Sequence, residues 1–573
     1  MTLQHFPLGD PSFRKLRAEN RLYVDKTEYI SKMLNLSTCC FLSRPRRFGK
    51  SLLLSTIDEL FQGDRKLFNG LWIDSQHNYS FEKHPVLNFN MGYSRTSTDD
   101  ELITAITDDL EKHAKREGVA LSSHGYGEML GDLLQGIYFK HGVGTVILVD
   151  EYDAPVTDHL SDMKLAYANR TVLHNFYRSL KASLKYVHFA FVTGISRLAM
   201  TSMDSGPNNF TDISLMPEFS GICGFTAKEL NKYFKARFKD TLTSLKANGD
   251  LPKNAGIKEL KAIIMEWYDG YNWLGNDHIL NPYSILNFFL LKNLDSYWPS
   301  SGRPSHLIAL IRENLENFLK PRLDDYPVSE ITKADVLSIG IVPIMFHSGY
   351  LTIDNVTKIT RIENQKVISE KVVSFRTPNL EIQNVSLASV FKDIFKLRDD
   401  YLSDITKNFP VALLDKNVNE VIRLLTNLLS TISYMQHPTT KEQATPDPDL
   451  KTEKMYHNLF HAAFFAAGFT VISEVPVSKG RSDITLLLKD NTYVVIELKY
   501  CFTGDKTDDK IIKDKELAQC LDGAENQMIE KNYVAPYRVP QNKVIGLAMA
   551  VRKSDEVAVR FVDLDAIDVP SDS

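Results

Sequence analysis

Through the first two hundred residues, short apolar runs alternate with stretches of helical period. The runs fall at 39–42, 86–90, 146–149 and 188–193. Alternation of this kind predicts an α/β domain with a mostly parallel sheet. After Lys50 the sequence LLLSTIDELFQG sets Leu53, Ile57, Leu60 and Phe61 on one helical face, and Gly63 is placed to end that helix. From about residue 224 the pattern turns mainly helical, with aromatic clusters at WYDGYNW (267–273) and NPYSILNFFLL (281–291), so a second domain is expected to begin there. Between 433 and 451 the chain is polar, Pro-rich and aperiodic, which reads as a linker. Beyond it come a helix (452–467), three strand-like runs (VISEVPV, DITLLLK, TYVVIELKY) and a helix from about 514 to 532. The expected organisation is a nucleotide-type α/β domain over 1–223, a lid region over 224–400, a helix and linker over 401–451 and a small α/β domain over 452–573.

Composition narrows the class. A chain of 573 residues is too long for one hydrophobic core, and 43 % apolar with 24 % charged residues is ordinary for a globular protein. The net charge of −5 excludes a polycation, so any nucleic-acid contact must come from a local patch. Five cysteines (Cys39, Cys40, Cys223, Cys501, Cys520) lack C-x-x-C spacing, which fits a reducing compartment and argues against structural zinc. The N-terminus has no apolar stretch of signal length, and LNFFLL (286–291) is far short of the roughly 20 residues a membrane span needs. A cytoplasmic protein without membrane contact is expected.

The segment FLSRPRRFGKS (41–51) ends like a phosphate-binding loop, yet Arg44 stands where the usual pattern has glycine. Gly49 can let backbone N–H groups close on phosphates, Lys50 can reach the β and γ oxygens, and Ser51 can hold Mg²⁺. Pro45 is expected to shape the altered loop start, Phe48 stands with it among the candidate nucleotide-binding residues, and Arg44, Arg46 and Arg47 make electrostatic sense beside a polyphosphate, although some can instead face solvent or a partner. About a hundred residues on, TVILVDE ends a buried-strand run in paired acids, of which Asp150 can orient the Mg²⁺ shell and Glu151 can polarise the attacking water, with a solvated loop as the alternative reading. Thr193, ending the run HFAFVT, is a candidate γ-phosphate sensor. Arg197 is a candidate for neutralising transition-state charge, with an ordinary surface arginine as the alternative.

A second constellation lies at GRSDIT (480–485) and VVIELK (494–499). Phosphodiester hydrolysis needs carboxylates for one or two divalent ions and a cation to steer water. Glu497 and Lys499 are two apart in a strand and project together, and Asp483 can join them from a neighbouring strand. Glu453 upstream is an outer metal or water ligand candidate, and Gln527 downstream a candidate for orienting water or phosphate. A cross-strand salt bridge is the structural alternative. His457 and His461, at i,i+4 spacing, resemble half a zinc site but lack the metalloprotease glutamate, and packing is their default reading. Acids outnumber bases after residue 451, which weighs against a basic DNA-binding surface. Lys506, Lys510, Lys513, Lys515 and Lys531 can form one basic edge.

These residues resemble a widespread bacterial family that joins an N-terminal AAA-ATPase-like domain to a C-terminal PD-(D/E)XK nuclease domain. The resemblance spans nearly the whole chain through YVDKTEYI (23–30), RPRRFGKS (44–51), ILVDEYDAP (147–155), FVTGISRLA (191–199), GFTAKEL (224–230), WYDGYNW (267–273), NPYSIL (281–286), SGYLTI (348–353), PNLEI (378–382), GRSDI (480–484) and IELKY (496–500). RPRRFGK is characteristic of that family, so Arg44 looks like a family trait. The resemblance implies an α/β chain: a P-loop NTPase (AAA-like) parallel-sheet domain, a helical and winged lid, and a C-terminal restriction-endonuclease-like α/β domain with a metal site at Asp483, Glu497 and Lys499. Gln527 and Tyr533 stand further apart than the Q-x-x-x-Y of related nucleases. The expectation is an ATPase and nuclease using ATP and Mg²⁺, with Mn²⁺ as a substitute at the nuclease site. Its partners would be nucleic acid, DNA ahead of RNA, and a second copy in a homo-oligomer. Defence or mobile-element biology is one setting for such a protein. A nucleotide-switched sensor or scaffold, and a host-directed toxin, are the competing classes.

Overall fold

The computed structural model describes residues 3–564 except 77–78, 94–95, 122–124, 161, 197–209, 299–322, 333–340, 364–365, 384–391, 393–396, 431–447, 478–479, 489–490, 502–509 and 553–555. They form two compact units, one from described residues through Ile382 and one from those after it.

In the first unit five parallel strands stand in the order β2-β3-β4-β1-β5: β1 (Cys39–Ser43), β2 (Val86–Asn90), β3 (Thr145–Asp150), β4 (Val187–Gly194) and β5 (Thr211–Asp212). The two central runs CCFLS and TVILVD are buried at every position, as strands covered on both faces must be, whereas edge strand β2 exposes alternate residues. Helices supply the cover. Asp99–Glu117 starts at Thr98, whose hydroxyl accepts the Glu101 N–H, carries three acids in its first turn and ends at left-handed Gly118. With Tyr126–His141 and Met163–Ala182 it packs Leu102, Ile106, Leu133, Ile137, Leu173 and Phe176 against the strands. The helix Lys50–Phe61 follows β1, and Gly63 (φ 77°) lies just past its end.

The helical region after residue 224 belongs to this same unit. A short pairing of β6 (Phe225–Thr226) with β7 (Ile279–Leu280) frames helices Ala227–Tyr233, Phe238–Asn248, Ile257–Tyr268 and Pro282–Leu291. Their core takes in Leu22 and Val24 from the N-terminal segment. A three-stranded antiparallel sheet follows, ordered β8-β10-β9, from β8 (Leu323–Pro327), β9 (Thr352–Glu363) and β10 (Lys366–Arg376).

The second unit holds helices Asp399–Leu414, Val418–Ser430 and Pro448–Ala466 and a mixed sheet ordered β11-β12-β13-β14-β15. β11 (Thr470–Val477), β12 (Gly480–Leu487) and β13 (Thr492–Tyr500) form antiparallel pairs. β14 (Lys543–Arg552) runs parallel to β13 because the long helix Lys510–Lys531 crosses between them, and β15 (Glu556–Val562) returns antiparallel. Most of the linker expected over 433–451, its residues 433–447, lies outside the described residues. Among the described residues no helix is long and apolar enough to cross a membrane.

Candidate nucleotide and metal sites

Open parallel sheets present their ligand crevice beyond the carboxyl ends of the strands. Here those ends bring the expected residues together. Gly49 takes φ 95° as the residue before the helix Lys50–Phe61. Lys50 is buried, and its ammonium donates to the main-chain carbonyls of Arg44 (2.8 Å) and Pro45 (3.0 Å). Burial pushes its pKa down while Asp150 pulls the other way. Ser51 Oγ donates to Asp150 Oδ2 at 2.5 Å, and Thr193 Oγ1, buried on the strand between, donates to Asp150 Oδ1 at 2.8 Å. A hydroxyl and a carboxylate in contact at the end of a phosphate loop are the donor set a triphosphate-bound Mg²⁺ takes. Glu151 sits at φ 49°, left-handed for a non-glycine residue. A Cβ at Gly92 would overlap the Glu151 carboxylate, so glycine leaves it room. Partial desolvation beside Asp150 raises the Glu151 pKa.

The arginines part company. The left-handed backbone of the loop falls at Arg47 (φ 70°) and Gly49, not at Arg44. Arg44 is fully buried, with its guanidinium donating to the carbonyls of Ser43 (2.8 Å), Ser214 (2.8 Å) and Phe219 (3.1 Å) and stacked 4.2 Å from the Trp273 ring. Desolvation lowers its pKa to about 10. Its two terminal nitrogens thus donate to protein carbonyls, while Nε is buried without a partner among the described residues, an arrangement that charge alone does not suggest. Arg44→Gly, which recreates the usual loop start, is expected to lower the unfolding temperature by stranding three buried carbonyls, at roughly 3 kcal/mol, without tightening nucleotide binding. Thermal unfolding with and without ATP checks this, and an unchanged melting point would remove the strut. Arg46 pairs with Asp158 at 3.1 Å on the surface, and Arg47 lies 5.1 Å from the Tyr283 ring. Phe48 is buried edge-on against Tyr271 and Trp273, and Gly224 N–H donates to its carbonyl. Pro45 meets the turn at Gly349 (φ 88°).

The loop also borders a cavity of about 340 Å³ whose lining includes Pro7, Leu8, Val24, Gly49, Cys223 and Tyr283. Asp153, two residues past the acid pair, was missed by sequence reasoning although it lies in the same ILVDEYDAP run. It is fully buried and accepts N–H groups from Ile195 and Ser196 and the Ser196 hydroxyl, tying the chain after Thr193 to the acidic turn. Arg197 lies outside the described residues.

In the second unit, extending the Ile484–Ile496 register by one residue sets Asp483 opposite Glu497. Asp483 Oδ2 accepts the Leu498 N–H at 2.8 Å. Glu497 is fully buried against the Asp483 carboxyl and main-chain N–H, and among the described residues neither of its oxygens makes a well-formed hydrogen bond. Desolvation and the neighbouring Asp483 push its pKa up to about 9, and burial raises Asp483 as well. Lys499 Nζ lies 3.7 Å from Glu497 and 3.8 Å from Glu453. Glu453 also accepts the Tyr500 N–H at 3.3 Å, so it faces the lysine. Among the described residues no cluster of three or more His, Cys, Asp or Glu is placed to hold a metal. Two orphaned oxygens beside a second carboxylate nevertheless fit a divalent cation whose remaining ligands are water or main-chain oxygen. Gln527 donates to the Tyr533 hydroxyl at 3.1 Å despite the stretched spacing. His457, one turn after Glu453, has Nε2 2.9 Å from the Asp483 carbonyl, a site contact that spacing alone did not reveal. His461 is buried, and burial drops its pKa to about 3.

The folds and sites define the class: a P-loop ATPase-type unit and a restriction-endonuclease-type α/β unit in one chain. Residues 7–204 match the family model described as predicted AAA-ATPase. Residues 451–560 match that of the PD-(D/E)XK nuclease superfamily. The chain is also 28 % identical, over 98 % of its length and 99 % of the relative's, to "Uncharacterized protein in vnfD 5'region" from Azotobacter chroococcum mcd 1.

Proposed function

We propose that the protein binds and hydrolyses ATP at the N-terminal site and cleaves nucleic acid, DNA before RNA, at the C-terminal one under nucleotide control. The observation that carries the nuclease half is the buried Glu497 carboxyl, facing Asp483 and beside Lys499, with neither oxygen in a well-formed hydrogen bond among the described residues. A bound divalent ion supplies Lewis acidity and a more acidic water there. Asp483 and Glu497 hold it, Lys499 orients the water and the phosphate, and Glu453 with the Tyr500 N–H fixes the lysine. At the other site Ser51 and Asp150 hold Mg²⁺, Lys50 exchanges its loop carbonyls for phosphate oxygens, Glu151 takes the proton of the attacking water, and the 340 Å³ cavity accepts the nucleoside.

Purified protein with Mg²⁺ or Mn²⁺ is expected to cut linear, circular or single-stranded DNA, and Asp483→Asn to lose at least a hundredfold of that rate. Cleavage unchanged in the variant overturns the assignment. The scaffold reading is favoured by one observation, the Lys499 ammonium facing both Glu497 and Glu453. ATP-dependent assembly without any cutting would select it.

A further inference from the structure

Glu497, Lys499 and Cys501 alternate along one chain and so share a side of β13 and its continuation. The facing helix Lys510–Lys531 sets Cys520 in the same apolar cluster as Cys501, with Leu521, Ala524 and Met528. Cys520 packs against that cluster close enough to act on the Cys501 thiol, and burial first, then Cys520, holds the Cys501 pKa well above its ordinary value. Cys501 is buried and Cys520 partly open. Gln527 lies two helical turns beyond Cys520, on the same helix face.

We propose that Cys501 and Cys520 are a peroxide-sensitive thiol pair whose disulfide closes the C-terminal site. The inference deepens the nuclease reading and rests on it for its effect on cleavage. Cys520, the accessible sulfur, attacks hydrogen peroxide as thiolate: an S–O bond forms, the O–O bond breaks, and the departing hydroxide becomes water with the thiol proton. The Cys501 sulfur then attacks the Cys520 sulfenic acid, forming S–S and breaking S–O, and its own proton leaves in the second water. Two thiols are oxidised and one peroxide is reduced. Bonded sulfurs sit near 2.05 Å, closer than thiols in contact, so closure draws the helix toward the strand end. Lys499 and Gln527, two residues and two turns away from the bridged sulfurs, move out of register with Asp483 and Glu497.

The test treats reduced full-length protein with a few equivalents of hydrogen peroxide and reads three quantities: the 501–520 cross-linked peptide by non-reducing mass spectrometry, Mg²⁺ affinity by calorimetry, and DNA cleavage. Expected are the cross-link, at least a tenfold loss of Mg²⁺ affinity and of cleavage, unchanged ATP turnover, and recovery with dithiothreitol. Cys520→Ser and, separately, Cys501→Ala should resist peroxide in both affinity and cleavage. No cross-link, or a cross-link that leaves Mg²⁺ affinity intact, overturns the pair as a switch. If the protein cuts no DNA under any condition, cross-link and Mg²⁺ affinity still decide it, so the two readings fail separately.

Discussion

Glu497→Gln is expected to abolish metal-dependent cleavage and, in metal-free buffer at alkaline pH, to stabilise the C-terminal unit. Its carboxyl is fully buried, and burial first, then the neighbouring Asp483, pushes its folded-state pKa up to about 9, against about 4.3 when unfolded. A folded pKa above the unfolded one means the fold favours the protonated acid. That contribution is complete below about pH 4 and is lost progressively as pH rises toward 9. Glutamine cannot ionise, so it keeps what the wild type gives up, and the gap widens with pH. At pH 8 it should reach roughly 2 kcal/mol, allowing for relaxation around a pair coupled to Asp483. Mg²⁺ reverses the order, because an ion that binds only the folded carboxylates stabilises the wild type and not the variant. Thermal unfolding between pH 6 and 9, with EDTA and with Mg²⁺, checks both signs. A variant less stable than wild type in EDTA at pH 8, or an equal Mg²⁺ effect on both proteins, would show that Glu497 is not an empty ligand.

What the sequence revealed depended on how local the cause was. Gly49, Lys50 and Ser51 were readable because a left-handed glycine before a helix is a backbone requirement written in three adjacent letters. Asp483, Glu497 and Lys499 were readable because strand alternation fixes which residues share a face. The buried place of Arg44 was not legible because its partners, the Ser214 and Phe219 carbonyls, lie 170 and 175 residues away and carry no side-chain signature. The pattern turns helical near 224, yet both sides lie in one compact unit, and Phe48, Gly224, Tyr271 and Trp273 pack the helical region onto the loop. Periodicity reports which face is buried and is silent on what buries it. The same silence hid His457, whose link to Asp483 runs through a main-chain oxygen.

Glu151→Gln should lower ATP turnover by about two to three orders of magnitude, the range for removing a general base, while leaving ATP affinity nearly unchanged. Among the described residues the Glu151 carboxylate is no hydrogen-bond partner in the hydroxyl–carboxylate pair of Ser51 and Asp150 that is suited to Mg²⁺, and glutamine matches its size in the space left by Gly92. The backbone at φ 49° is strained for either residue alike, so the fold should not distinguish them. The raised pKa of Glu151 brings it nearer neutrality and makes it a better proton acceptor than an exposed glutamate. Lys50→Ala is the contrast. Removing a buried ammonium that spans the loop carbonyls should cost affinity as well as turnover. A fluorescent ATP analogue separates binding from phosphate release for both variants. Because Glu151→Gln holds the triphosphate without consuming it, DNA cleavage in that background tells whether nucleotide licenses the C-terminal site: sustained cutting with ATP means that occupancy suffices, and cutting lost despite full binding means that hydrolysis is required. Wild-type ATP turnover in Glu151→Gln would remove the acid pair from the mechanism altogether.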